Sequence, residues 1–169
     1  MKRSILSCSI LLAIVSCTPT PHAPSDFVVP HVGTAGHGHV FVGANVPFGM
    51  VQVGPTSIPQ DWDWCSGYHA SDMTLIGFSH THLSGTGIGD LFDVTLMPVI
   101  GEVTYARGVE SNPTSGMWSY ADRTKEVARP GYYSVPLTRY GVTAEMTATK
   151  RVGFHRYTFP ASEEAAIVI

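Results

Sequence analysis

Glycine and proline punctuate this chain so densely that it can build short strands and turns far more readily than long helices: 17 Gly and 12 Pro fall among 169 residues. Glycine opens backbone conformations closed to other residues, and proline removes a donor and fixes φ, so both end regular elements. Only Ser119 to Ala128 has the composition for a turn or two of helix, and Pro130 would stop it. A helical bundle is therefore a poor fit. Hydrophobic residues still make up 44% of the chain, enough for one sizeable core.

The clearest element is a strand. Val142, Ala144, Met146 and Ala148 alternate with Thr143, Glu145, Thr147 and Thr149, which puts an apolar set on one sheet face and a polar set on the other. Tyr132 to Tyr140 before it and Val152 to Phe159 after it are rich in aromatic and β-branched residues, with Pro130-Gly131, Gly141 and Pro160 between and around them. Three consecutive antiparallel strands are the economical reading. Shorter apolar runs at Met50 to Val53 and Thr74 to Phe78 add further strands, and the expected fold is all-β, an antiparallel β-sandwich. The run Glu163 to Ile169 reads as the start of one more strand, so the sandwich is expected to be incomplete here and to continue beyond Ile169.

The amino terminus has a different character. Lys2 and Arg3 precede an apolar segment from Ser4 to Ser16 that is too short to span a bilayer, the pattern of a signal peptide over residues 1–16. Its end, Ile14-Val15-Ser16-Cys17, is similar to the lipobox of bacterial lipoproteins, so Cys17 is the expected lipidated terminus of an exported lipoprotein held at the outer membrane, at its periplasmic face or the cell surface. Residues 17–25 then form a Pro-rich tether, and the sandwich domain occupies 26–169. Cys8 leaves with the signal and Cys17 is taken by lipid. Cys65 is then the remaining thiol, so no disulfide holds the mature domain together.

Charge excludes one class of partner. Loss of residues 1–16 removes Lys2 and Arg3, two of ten basic side chains against 13 acidic ones, and no basic cluster remains to hold nucleic acid. The Gly-rich stretch Ser84 to Asp90 lacks both the third glycine of a dinucleotide fingerprint, where Asp90 stands, and the lysine of a P-loop. Its glycines suit tight turns or a close approach of backbone to a ligand.

Six of eight histidines lie between positions 31 and 82, together with Trp62, Trp64, Cys65, Asp61, Asp63, Asp72 and Asp90. His37-Gly38-His39 and His80-Thr81-His82 are each H-x-H, a spacing that on an extended strand puts both imidazoles on one side, where they could share a zinc ion or hydrogen-bond a polar ligand. The residues after His82 do not continue as a metallohydrolase motif would. Cys65 has no base or oxyanion donor near it in sequence and reads as a small buried side chain. Trp62-Asp63-Trp64 combines flat apolar rings with a carboxylate acceptor, which suits the C–H faces and hydroxyls of a sugar; on a strand the two rings would share a face, and a core role fits them as well.

Four strings, Val32 to His39, Pro47 to Gln52, Trp62 to His69 and Gly77 to Gly87, resemble the amino-terminal domain of glycoside hydrolase family 92, the bacterial exo-acting α-mannosidases. Pro130 to Val135 and Thr147 to Tyr157 fit as well, and departures are confined to Ala35 and His31. The resemblance implies a β-sandwich packed against an (α/α)6 barrel that lies outside this chain. It implies a calcium ion and inversion at the anomeric carbon, with acid, base and calcium ligands all in the barrel, so that the fragment has no catalytic or metal-binding residue of its own and is inactive alone. This domain would then contribute to the pocket for mannose-containing glycans: Trp62 near the leaving-group subsite, Asp63, Trp64, His80, His82 and Asp90 lining or supporting the cleft, with His37 and His39 as second choices. A non-catalytic carbohydrate-binding lipoprotein is the alternative.

Overall fold

A computed structural model describes residues 22–169. The signal peptide over 1–16, the lipidation of Cys17 and most of the 17–25 tether lie outside the described residues.

The described chain is built of strands joined by loops and four short 3-10 turns. In order the strands are β1 (Ala44–Asn45), β2 (Gln52–Thr56), β3 (Thr74–Leu75), β4 (Gly77–Ser79), β5 (Thr95–Ile100) and β6 (Ser119–Tyr120). They continue with β7 (Val127–Arg129), β8 (Tyr132–Leu137), β9 (Val142–Ala148), β10 (Gly153–Thr158) and β11 (Ala165–Val168). A five-stranded sheet of order β1-β2-β4-β5-β11 faces a four-stranded sheet of order β10-β9-β8-β7, and β3 pairs with β6 apart from both. Every strand pairing among the described residues is antiparallel. This is the sandwich expected from the sequence.

The three expected hairpin-linked strands are β8, β9 and β10, in register Tyr133 to Met146 and His155 to Met146. Along β9 the period-2 pattern does what it should: Val142, Ala144, Met146 and Ala148 are buried, while Thr143 and Glu145 are only half-covered and Thr147 is exposed. Opposite them Ala44, Val53, Phe78, Met97 and Val99 close the core from the five-stranded sheet. The final apolar run becomes β11, which pairs with β5.

The structure refines two expectations. The apolar run at 74–78 is not one strand, because Gly77 (φ +152°) turns the chain between β3 and β4 and sends them to different sheets. A Cβ on Gly77 would also lie 2.6 Å from Thr95 Cγ2, so the approach of β4 to β5 needs glycine. Residues 119–128 hold a single 3-10 turn, Arg123–Lys125, capped where the Asp122 carboxylate accepts from the Thr124 amide at 3.1 Å. The turn stays short because its flanks are used elsewhere, Ser119 in β6 and Glu126 as a buried acceptor beneath β8.

Glu126 is the centre of the strongest polar network. Its side chain is 7% exposed; Arg123 Nη1 donates to it at 2.6 Å, Tyr133 and Tyr68 donate their hydroxyls, and His31 Nε2 lies 3.3 Å away. Arg123 also donates to the Asp72 carbonyl at 2.7 Å and lies over the Tyr68 ring. Burial, and then the adjacent Glu126 charge, holds Tyr133 well above the usual phenol range, so it stays a donor.

Candidate functional site

The loops over 31–43, 57–73 and 80–94 are tied to one another: the Gly85 amide donates to the His39 carbonyl at 2.7 Å, the Ala70 amide to the Thr34 carbonyl at 2.8 Å and the Asp90 amide to the Cys65 carbonyl at 2.7 Å. Residues Trp62–Trp64 form a 3-10 turn, not a strand, so the two indoles do not project from a common strand face. Trp62 Nε1 donates to the Gly87 carbonyl at 3.2 Å, while Trp64 Nε1 donates to Asp72 at 2.7 Å and its ring stacks on His69 with centroids 4.3 Å apart. Both rings nevertheless line one cleft of about 340 Å³, with Asp61, Asp90, Phe92 and Arg107 among its other walls. The Gly-rich loop is fixed over this turn at three points: Trp62 to Gly87, the Cys65 thiol to the Thr86 carbonyl at 3.2 Å, and the Asp90 amide to the Cys65 carbonyl at 2.7 Å. Cys65 is buried and free, a structural side chain as its surroundings suggested.

Trp62 is the exposed member, 56% accessible, yet it is not loose. His39 meets its ring edge-on at 4.2 Å and His37 leans against it at 5.5 Å. Asp63 ties these imidazoles together: His37 Nδ1 lies 2.5 Å and His39 Nε2 3.5 Å from the same carboxylate oxygen. The hydrogen bond from His37 chiefly holds the Asp63 carboxyl below the usual range, so it stays ionised. A tryptophan held in place by histidines but open to solvent offers a preformed apolar surface with polar neighbours.

Beneath the cleft, His82 and Asp90 form a buried pair, with Nδ1 2.8 Å from Oδ2 and side chains 0% and 2% exposed. Since the carboxylate only accepts, the His82 proton is on Nδ1. The Phe41 ring stacks on His82 at 5.0 Å. Asp90 thus reaches the cleft wall, and His82 supports it from behind. His80 goes elsewhere: its ring meets His155 of β10, outside this cleft. Neither H-x-H pair lies on a strand, since residues 36–38 are a 3-10 turn with His39 left-handed at φ 51°, and His80 and His82 follow the end of β4. Sequence reasoning did not single out Arg107 or Phe92. Arg107 lies over the Phe92 ring at 5.6 Å, yet it sits 45 residues beyond Trp62 in a segment without any local motif.

Comparison with known proteins places the domain in a family. The family description "Glycosyl hydrolase family 92 N-terminal domain" matches residues 27–169. A family 92 α-mannosidase from Bacteroides thetaiotaomicron, solved in complex with mannoimidazole, is 46% identical with a TM-score of 0.81, over 85% of this chain and 19% of that one. A family 92 inverting mannosidase from the same organism is 25% identical with a TM-score of 0.61, over 78% of this chain and 16% of that one. An uncharacterized secreted glycosidase of Arthroderma benhamiae is 33% identical over 132 residues, 76% of this chain and 16% of its own length. The chain therefore spans less than a fifth of each of these relatives. Over residues 27–169 it belongs to glycoside hydrolase family 92, as the N-terminal domain.

Proposed function

We propose that this chain is the amino-terminal, pocket-contributing part of an exported exo-α-mannosidase acting on mannose-containing glycans. The observation that carries the reading is the cleft in which the exposed Trp62 ring stands beside Trp64, Asp61 and Asp90, on a domain of family 92. Pyranose C–H faces pack on such rings while the exposed Asp61 carboxylate accepts hydrogen bonds from hydroxyls. Likeness to mannosidases, one solved with mannoimidazole and one described as inverting, supports both the substrate and the stereochemistry.

Inversion needs one carboxylic acid on the leaving oxygen and one carboxylate activating water, roughly 6.5–9.5 Å apart. Asp63 is engaged by His37 and Asp90 by His82, which supports placing the reacting pair outside this domain. Nor do the residues fit calcium, which takes about six to eight oxygen ligands, since the Asp63 and Asp90 carboxylates are each already taken by a histidine. In this reading acid, base and calcium ligands belong to the partner domain against which the sandwich packs, and the isolated chain is inactive. The test is mannose release from α-mannobiosides by the complete parent protein. Binding of mannosides without release would leave it a carbohydrate-binding lipoprotein.

In the parent protein, Trp62→Ala raises KM by roughly tenfold, about 1.4 kcal/mol of stacking, with kcat little changed, because the ring touches neither acid nor base. Unaltered steady-state kinetics would return Trp62 to a purely structural role. The basic and apolar start of the chain and a secreted relative support export, and Cys17 is the proposed lipid anchor. Cys17→Ser is expected to move the protein from the membrane to the soluble fraction on cell fractionation.

A further inference from the structure

His80, just after β4, and His155, on β10 of the facing sheet, lie 75 residues apart in the chain, and their Nε2 atoms stand 3.1 Å from each other. Nothing in the proposed sugar site uses them. His80 is rigidly placed: its amide donates to the Val94 carbonyl at 3.0 Å, its own carbonyl accepts from the Gln52 amide at 2.8 Å, and its ring Nδ1 lies 3.1 Å from the same Val94 oxygen. A carbonyl only accepts, so the His80 proton is on Nδ1 and the neutral ring aims a lone pair from Nε2 at His155. His155 Nδ1 is likewise occupied, 2.8 Å from the Tyr157 hydroxyl, which can donate or accept. Both imidazoles are thus held at Nδ1 by oxygen and converge at Nε2, the arrangement that orients histidines on a metal ion.

With Nε2 atoms 3.1 Å apart and ring centroids 4.8 Å apart at 51°, the two imidazoles pair through an N–H···N hydrogen bond when empty and can share a divalent ion at about 2.0–2.1 Å from each nitrogen.

We propose that His80 and His155 form a two-histidine site for a borderline divalent ion such as zinc, with water completing the coordination. Imidazole donors select such ions over calcium. Both residues are half-buried, with β10 the outermost strand of its sheet, so an ion has a path in. On binding, the His155 proton resides on Nδ1 and is donated to the Tyr157 oxygen, freeing Nε2 as the second ligand. The ion then clasps the segment after β4, which leads to His82 and Asp90, to β10 of the facing sheet. This holds whether or not the cleft takes mannosides.

The test is zinc titration of the untagged full chain, followed by long-range proton–nitrogen NMR of the imidazoles and by calorimetry. The expected result is that the Nε2 resonances of His80 and His155 shift together and His155 takes the Nδ1–H tautomer, with thermal stability rising as zinc is added. His80→Ala and His155→Gln, each checked for folding by circular dichroism, weaken binding roughly tenfold or more, whereas His37→Ala does not. Absence of zinc uptake by the folded wild type, or shifts confined to other histidines, would overturn the proposal. So would equal affinity in both folded variants.

Discussion

Arg123→Ala is expected to destabilise the domain by about 3–5 kcal/mol, the usual cost of stripping one partner from a buried ion pair. Arg123 is the cation facing Glu126, both side chains being nearly buried at 12% and 7% exposed. Its loss leaves a carboxylate beneath the sandwich with only neutral phenol donors and the half-exposed His31 nearby. It also frees the Asp72 carbonyl and uncovers the Tyr68 ring. Because whole domains are stable by only about 5–15 kcal/mol, a loss of this size decides whether the protein accumulates folded. Urea unfolding followed by circular dichroism measures it. The double substitution Arg123→Met with Glu126→Leu should recover much of the loss, since no charge is then stranded. A single-variant effect below about 1 kcal/mol would mean that water reaches Glu126 and the pair behaves as a surface one.

Phe78→Ala carries an effect of similar size, about 3–5 kcal/mol, through a different mechanism. Phe78 is wholly buried in the centre of the five-stranded sheet, across from Pro55 on one side and Leu96 on the other, with the Tyr157 ring 6.1 Å away on the facing sheet. Truncation removes the ring's transfer energy and leaves a cavity that β2 and β5, paired on both sides, cannot collapse to fill. Phe154→Ala is the matched comparison. That ring lies 53% exposed on the outer face of β10, and its loss should stay within about 0.5 kcal/mol. Equal midpoints for the two variants in the same denaturation series would contradict the sandwich packing described here.

The contrast between these two phenylalanines shows what was readable in advance. Alternation along 142–149, with turn formers on both sides, was enough to place β8, β9 and β10 and to say which face of β9 is inward, since pleating assigns faces by parity alone. Trp62 and Asp90, marked as candidates because aromatic rings and carboxylates crowd one stretch of chain, do come to one cleft. The local shape of that stretch was not: Trp62–Trp64 curls into a 3-10 turn whose partners, Gly87 and Asp72, are supplied by later loops. Likewise the two H-x-H pairs look alike in one dimension, yet His82 is drawn inward by Asp90 and Phe41 while His80 turns to a strand near the end of the chain.

From its sequence alone the protein is an antiparallel sandwich of family 92 whose first half carries aromatic and histidine loops, because burial parity and motif order are properties of neighbouring residues. Tertiary structure alone decided which polar group meets which. His31 reaches Glu126 across 95 residues and His155 reaches His80 across 75, contacts that exist only once two sheets have closed on each other. A side chain's hydrogen-bond partner depends on distance in space, and chain order constrains that distance weakly beyond a few residues.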